Sequence, residues 1–140
     1  MRPALGAVLP VLLAAIFHLP SVDGRLPYAG HVLVCPKRHA ADFAALAVEE
    51  GAAVATALGA GTRVLKQLGA VRVYLATVGH QVDHLHVHLL PRWPETPDDV
   101  PWHAVDEWRD ARRATPAQAA DIVAAMRSAK GPRIAAHERL

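Results

Sequence analysis

His84, His86 and His88 stand two residues apart in the run "DHLHVHLLPRW" at residues 83 to 93, with Leu85, Val87 and Leu89 between them. In an extended strand successive side chains point to opposite faces, so the three imidazoles share one face and the three aliphatic side chains the other. At a rise of roughly 3.3 Å per residue the histidines cover about 13 Å of surface. The aliphatic face supplies core, and the imidazole face must look into a cleft or water. Imidazoles this close disfavour one another's charged forms, and each buried nitrogen needs a partner, so three unrelated surface or core histidines explain the pattern poorly. Two chemistries suit it. Neutral imidazole is a common zinc ligand, and His-x-His puts two nitrogens on one side of a strand. In phosphorus chemistry, alternatively, one imidazole attacks, a neighbour holds its tautomer, and a third donates hydrogen bonds to phosphate oxygens or protonates the leaving group.

Such a strand needs neighbours. "VRVYLATV" (residues 71 to 78) alternates and is rich in β-branched residues, and "GHQVD" reads as a tight connection from it into the histidine strand, giving an antiparallel hairpin. "HVLVCP" (31 to 36) is a short apolar run that reads as a central strand ended by Pro36. Between them, apolar residues at Phe43, Leu46, Val54, Leu58, Leu65 and Leu68 approximate helical spacing from Asp42 to Leu68, with Gly69 as C-cap. Gly51, Gly59 and Gly61 each weaken that helix by up to about 1 kcal/mol, so packing of its Ala-rich face must hold it. Four prolines from Pro91 to Pro101 argue for a loop, and "TPAQAADIVAAMRSAKG" carries a capping box of Thr115 and Gln118 around Pro116, with Gly131 beyond its end.

With 140 residues, 52% of them apolar, the chain is long enough for one globular core and too short for two full domains. Its net charge of +2 is spread over single or paired basic residues, which argues against a nucleic-acid surface. The single cysteine, Cys35, excludes an intrachain disulfide and reads as a buried strand thiol. Residues 1–24 form an atypical N-terminal segment, and 25–140 the domain proper. The apolar run from Ala4 to Phe17 is too short to span a bilayer and reads as an edge strand or helix over residues 11 to 19, with a secretory signal as the competing reading.

"HLHVHLL" resembles the signature of the histidine triad (HIT) family, and "GHVLVCPKRH", about 50 residues upstream, resembles that family's other recurrent segment. The similarity covers roughly residues 29 to 93. It implies an α+β fold, with a five-stranded antiparallel sheet and two helices, here with an incomplete or atypical first strand. It also implies a homodimer of joined sheets and nucleotidyl hydrolysis or transfer through a covalent nucleotidyl-histidine intermediate, with no required metal or other cofactor. Carried over, His86 is the nucleophile, His88 contacts the phosphate and leaving-group side, and His84 orients His86 from behind. His39 matches a histidine near the triad in many members, whereas Lys37 and Arg38 read as solvated charges. Gly79, His80, Gln81 and Val82 fall where members carry a phosphate-holding Gly-Gln-Ser/Thr-φ run, so His80 and Gln81 replace the usual amide and hydroxyl. No ribose ligand is singled out among His18, Ser21 and Asp23.

The resulting expectation is a cytoplasmic nucleotide hydrolase or transferase with adenine nucleotides as substrates and neither nucleic acid nor membrane as partner. Trp93, Trp102 and Trp108 either shape the leaving-group side or anchor the Pro-rich segment. A nucleotide-binding regulatory module with little catalysis and a metal-dependent enzyme are the alternatives.

Overall fold

Four short apolar segments pair into one antiparallel sheet in this computed structural model, which describes residues 12–132. They are β1 (Ala14–His18), β2 (Val32–Pro36), β3 (Arg72–Ala76) and β4 (Val87–Arg92), in the order β1-β2-β4-β3. Two helices, α1 (Val48–Gln67) and α2 (Pro116–Ser128), complete an α+β fold. The expected fifth strand is absent among the described residues. The stretches that would lengthen the sheet make only isolated bridges, Val22 with Arg25 and Tyr28 with Arg113. The first lies between Pro20 and Pro27, and Tyr28 of the second directly follows Pro27, and prolines cannot donate to a ladder. Residues 14–18 form the edge strand of the segment 11–19, while residues 1–11, with most of the apolar run, lie outside the described residues.

Alternation decides which face is covered. Val32 and Val34 of β2 oppose Leu89 and Val87 of β4, all four buried, and α1 packs against all four strands while α2 packs against β1. At Gly61 of α1 a methyl group would sit 3.0 Å from Leu89 Cδ1 and 3.6 Å from Met126 Sδ, so the missing side chain lets helix, sheet and α2 meet. The opposite face, carrying Leu33, Cys35, Tyr74 and His88, is only half-buried. Cys35 lies opposite Ala15 of β1 in this sheet, and its partial burial pushes the thiol pKa up.

Several local expectations shift. The helix begins at Val48, not Asp42: Asp42 Oδ1 instead caps a 3-10 turn (Phe43–Ala45) by accepting from Ala44 N at 3.0 Å, and Leu46 is extended. A carboxylate that captures nearby main-chain donors competes with helix continuation. β4 is joined to β3 by residues 77–86 and not by a tight turn, so of the triad only His88 stands in the ladder. Pro91 lies inside β4, where β2 no longer pairs, so it has β3 as its one strand neighbour. The Thr115 box forms as expected, with Gln118 N donating to Thr115 Oγ1 at 3.2 Å and Thr115 N to Gln118 Oε1 at 2.9 Å.

Candidate functional site

Although β4 starts only at Val87 and the chain bends at Asp83 and His84, burial alternates along the approach: Leu85, Val87 and Leu89 are buried, and His84, His86 and His88 are each half-buried. The pleat therefore puts three rings on the half-open face and anchors their stems in the core.

Each ring is held differently. His86 Nδ1 lies 2.8 Å from the main-chain oxygen of His84. A carbonyl only accepts, so Nδ1 carries a proton, and in the neutral ring the lone pair is on Nε2. His84 Nε2 likewise donates to the Pro36 carbonyl at 2.8 Å, and its ring meets that of His39 edge-on with centroids 5.4 Å apart. The imidazole of His84 thus points at β2 and the His39 turn, and the main chain of His84, not its ring, bonds to His86. The rings of His86 and His88 are edge-on, 5.2 Å apart.

His88 has a partner that the sequence did not single out. Its Nδ1 lies 2.8 Å from His31 Nε2, with one proton between them. Register explains the meeting: Leu33 opposes His88, and His31 lies two residues before it on the same side of β2. Burial, with His88 and His18 beside it, pushes His31 down to about 4, and burial followed by the neighbouring His86 lowers His88. The position of His31 in "GHVLVCP" was visible; its role was not, because only pairing of β2 with β4 brings it to the triad.

Arg38, expected as a solvated charge, is exposed but its guanidinium is engaged. Its guanidinium grips Glu50 with Nη2 to Oε1 at 2.7 Å and Nε to both oxygens at 3.0 and 3.1 Å, and Nη2 also reaches Ala45 O at 2.6 Å. Gly79, His80, Gln81 and Val82 are exposed on the connection before the triad, with Gly79 at φ +67°. His18 is fully engaged, donating from Nδ1 to Leu19 O and accepting at Nε2 from Gly30 N, both at 2.9 Å. Ser21 and Asp23 are exposed. Trp93 is buried and donates to Ala29 O at 3.0 Å, Trp108 packs against the core, and Trp102 is exposed beside Tyr74 with centroids 6.0 Å apart. A shallow groove of about 310 Å³ lies between β1 and α2, lined by Phe17, His18, Ala119, Ala120, Val123 and Arg127, with no triad histidine among its lining residues. Among the described residues no three His, Cys, Asp or Glu side chains converge as metal ligands, since the triad rings are tied to three separate partners.

Solved structures share this arrangement of elements. A histidine triad protein from Bradyrhizobium japonicum aligns with a TM-score of 0.57 at 19% identity, covering 82% of each chain. A hypothetical histidine triad nucleotide-binding protein from Sulfolobus tokodaii aligns with a TM-score of 0.52 at 20% identity, covering 82% of this chain and 76% of that one. No curated protein matches the sequence. The family model described as the HIT domain matches residues 22–95, more than half of the 140-residue chain and a span that includes β2, α1, β3, β4 and all three triad rings, so this chain belongs to the HIT domain family.

Proposed function

We propose that the protein binds a nucleotide on the half-open sheet face and hydrolyses or transfers its nucleoside monophosphate group through a covalent adduct on His86. The observation that carries this reading is the bond from His86 Nδ1 to the His84 carbonyl, which in the neutral ring leaves the lone pair on Nε2. Nε2 attacks the α-phosphorus, the bond from phosphorus to the leaving group breaks, and its electrons depart with that group, which leaves as an anion or takes a proton from solvent. Water or another acceptor then attacks the phosphorus, loses its proton to solvent and returns the electron pair of the P–N bond to Nε2. With His31 as donor in the shared bond, His88 is free to present its own Nε2–H to a phosphoryl oxygen, where a preoriented donor stabilises developing charge. His39 supports the His84 ring, and Gly79, His80, Gln81 and Val82 supply exposed main-chain and side-chain donors to the remaining oxygens.

Adenine nucleotides are the proposed substrates; the Sulfolobus tokodaii protein's description as nucleotide-binding supports a nucleotide as ligand, without specifying the base. The test mixes the protein with an adenosine phosphoramidate and with a dinucleoside polyphosphate, quenches at alkaline pH and maps the adduct by mass spectrometry. The expected mass is that of an AMP group on His86, with His86→Ala slowing turnover by about a thousandfold or more, as loss of a nucleophile does. Normal turnover by His86→Ala would overturn the assignment, and AMP binding without any adduct or turnover would make the protein a binding module.

A further inference from the structure

Residues 36–50 touch the triad on one side and carry an ion pair, half-exposed Arg38 with nearly buried Glu50, on the other. On the triad side, the Pro36 carbonyl accepts from His84 Nε2 at 2.8 Å, the Ala40 carbonyl accepts from Leu85 N at 2.7 Å, and the His39 ring meets the His84 ring. These contacts hold both the ring and the main chain of His84, and that main chain carries the oxygen that fixes His86. On the other side stands Arg38, between Lys37 and His39. Its guanidinium leaves the turn and clamps Glu50 in the first turn of α1, Ala45 O in the 3-10 turn and His39 O in its own turn. Glu50 is nearly buried, at 8% side-chain exposure, and its Oε1 also accepts from Ala47 N at 2.9 Å.

We propose that Arg38 and Glu50 are positioning residues for His86, acting through the turn 36–40 and the main chain of His84. The proposal rests on the reading of His86 as nucleophile. An ion pair in this place adds little net stability, since solvent at the Arg38 side chain, 55% exposed, screens the attraction. What it adds is direction. The guanidinium is a planar fork whose bonds fix both distance and angle, and here one fork ties together three pieces of chain: the turn, the 3-10 segment and the start of α1. The turn is anchored at its start, where Pro36 pairs with Ala14 and Lys37 N donates to Leu13 O at 2.9 Å, and the fork adds the bond at His39 O that steadies the stretch leading to the Ala40 carbonyl. Lysine would supply the charge and not the fork.

The experiment compares Arg38→Met, Arg38→Lys and Glu50→Gln with the unsubstituted chain by three readouts. They are the imidazole ¹⁵N shifts of His84 and His86, kcat and KM for an adenosine phosphoramidate, and the thermal midpoint. The expected result is a single Nδ1–H tautomer at His86 in the unsubstituted protein and a mixture of tautomers in Arg38→Met and Glu50→Gln. With it kcat falls by as much as about 100-fold, the scale of a 1 Å misplacement, while KM stays within about twofold. Arg38→Lys falls with the other two, because charge without the fork does not restore the tautomer. Unchanged ¹⁵N shifts in the variants, rescue by lysine, or a loss of kcat no larger than the loss of folded protein would each overturn the proposal. Where Arg38→Met does not fold, Glu50→Gln carries the test, since its amide oxygen still accepts from Ala47 N. Absence of turnover in the unsubstituted protein would remove the nucleophile reading, and the ¹⁵N shifts would still decide whether Arg38 and Glu50 orient His86.

Discussion

A nucleophilic imidazole needs one nitrogen occupied and the other free, and His86 meets that need with a main-chain oxygen two residues away. Such a partner is supplied by any residue at position 84, so the imidazole of His84 is released for the Pro36 carbonyl and the His39 turn. His88 depends on a different neighbour, and there pH enters. His31 is held near 4 in the folded protein by burial, against an ordinary value of 6.5 in the unfolded chain. Between those values the unfolded chain binds more protons, so stability that is complete above about pH 6.5 is lost as pH falls towards 4. The full loss is on the order of 3 kcal/mol, and His88, also lowered by burial, acts in the same direction. Glu50 and Glu95, whose arginine partners lower their pKa values, add their own losses only below the ordinary carboxylate range. Urea midpoints between pH 6.5 and 5 therefore isolate the histidines. The midpoint should fall across that interval in the unsubstituted protein and far less in His31→Gln, and equal slopes would refute a buried neutral His31.

At the scale of elements, the turn leading into β2 is the least replaceable piece of backbone. Gly30 has φ +84°, and a methyl group there would lie 2.8 Å from both Leu65 Cδ2 and Pro91 Cγ. Gly69, after α1, has φ +107° and nothing within 4 Å of the same added atom. Ala at position 69 should thus cost only the backbone strain, about 1 kcal/mol, whereas Ala at position 30 adds overpacking of a further 1–3 kcal/mol or so. Urea unfolding of the two variants measures the difference, and equal costs would mean that the core around Leu65 yields freely. How much of this was legible depends on how local the cause is. Alternation of Leu85, Val87 and Leu89 with the histidines, the strand at Val32, and the Thr115 box are written within a few residues and could be read directly. The late start of α1 and the long connection 77–86 could not, since each is set by what the segment meets elsewhere: Glu50 caps Ala47 with Arg38 bound to it, and Leu85 is tied to Ala40 before β4 begins. His31 and Arg38 went unread for the same reason, as their partners lie 57 and 12 residues away in sequence.

At the scale of the whole molecule, the two edges of the sheet differ. On β1 the Ile16 carbonyl accepts from Arg127 Nη2 at 3.0 Å, which blocks that edge with a side chain from α2. The edge at β3 has no such cover among the described residues, and exposed apolar side chains gather around it: Leu68, Val71, Leu75 and Val78, between 49% and 81% exposed. An open strand edge flanked by apolar side chains is a template for pairing, and two copies joined there about a two-fold axis use the same surface on both. We propose that the homodimer of joined sheets, which the family resemblance implies, forms through β3. Sedimentation velocity at micromolar concentration should give a dimer for the unsubstituted protein and a monomer for Leu75→Lys, whose two copies would bring like charges together. Phe17→Lys, at a half-exposed site on β1, should stay dimeric. A monomeric unsubstituted chain, or dissociation by Phe17→Lys with Leu75→Lys still paired, would refute the β3 interface. Because β3 is the strand that flanks β4 and leads into residues 77–86, pairing there would also steady the connection that delivers Gly79, His80, Gln81 and Val82 to the triad, so the Leu75→Lys monomer should show a raised KM before any loss of kcat.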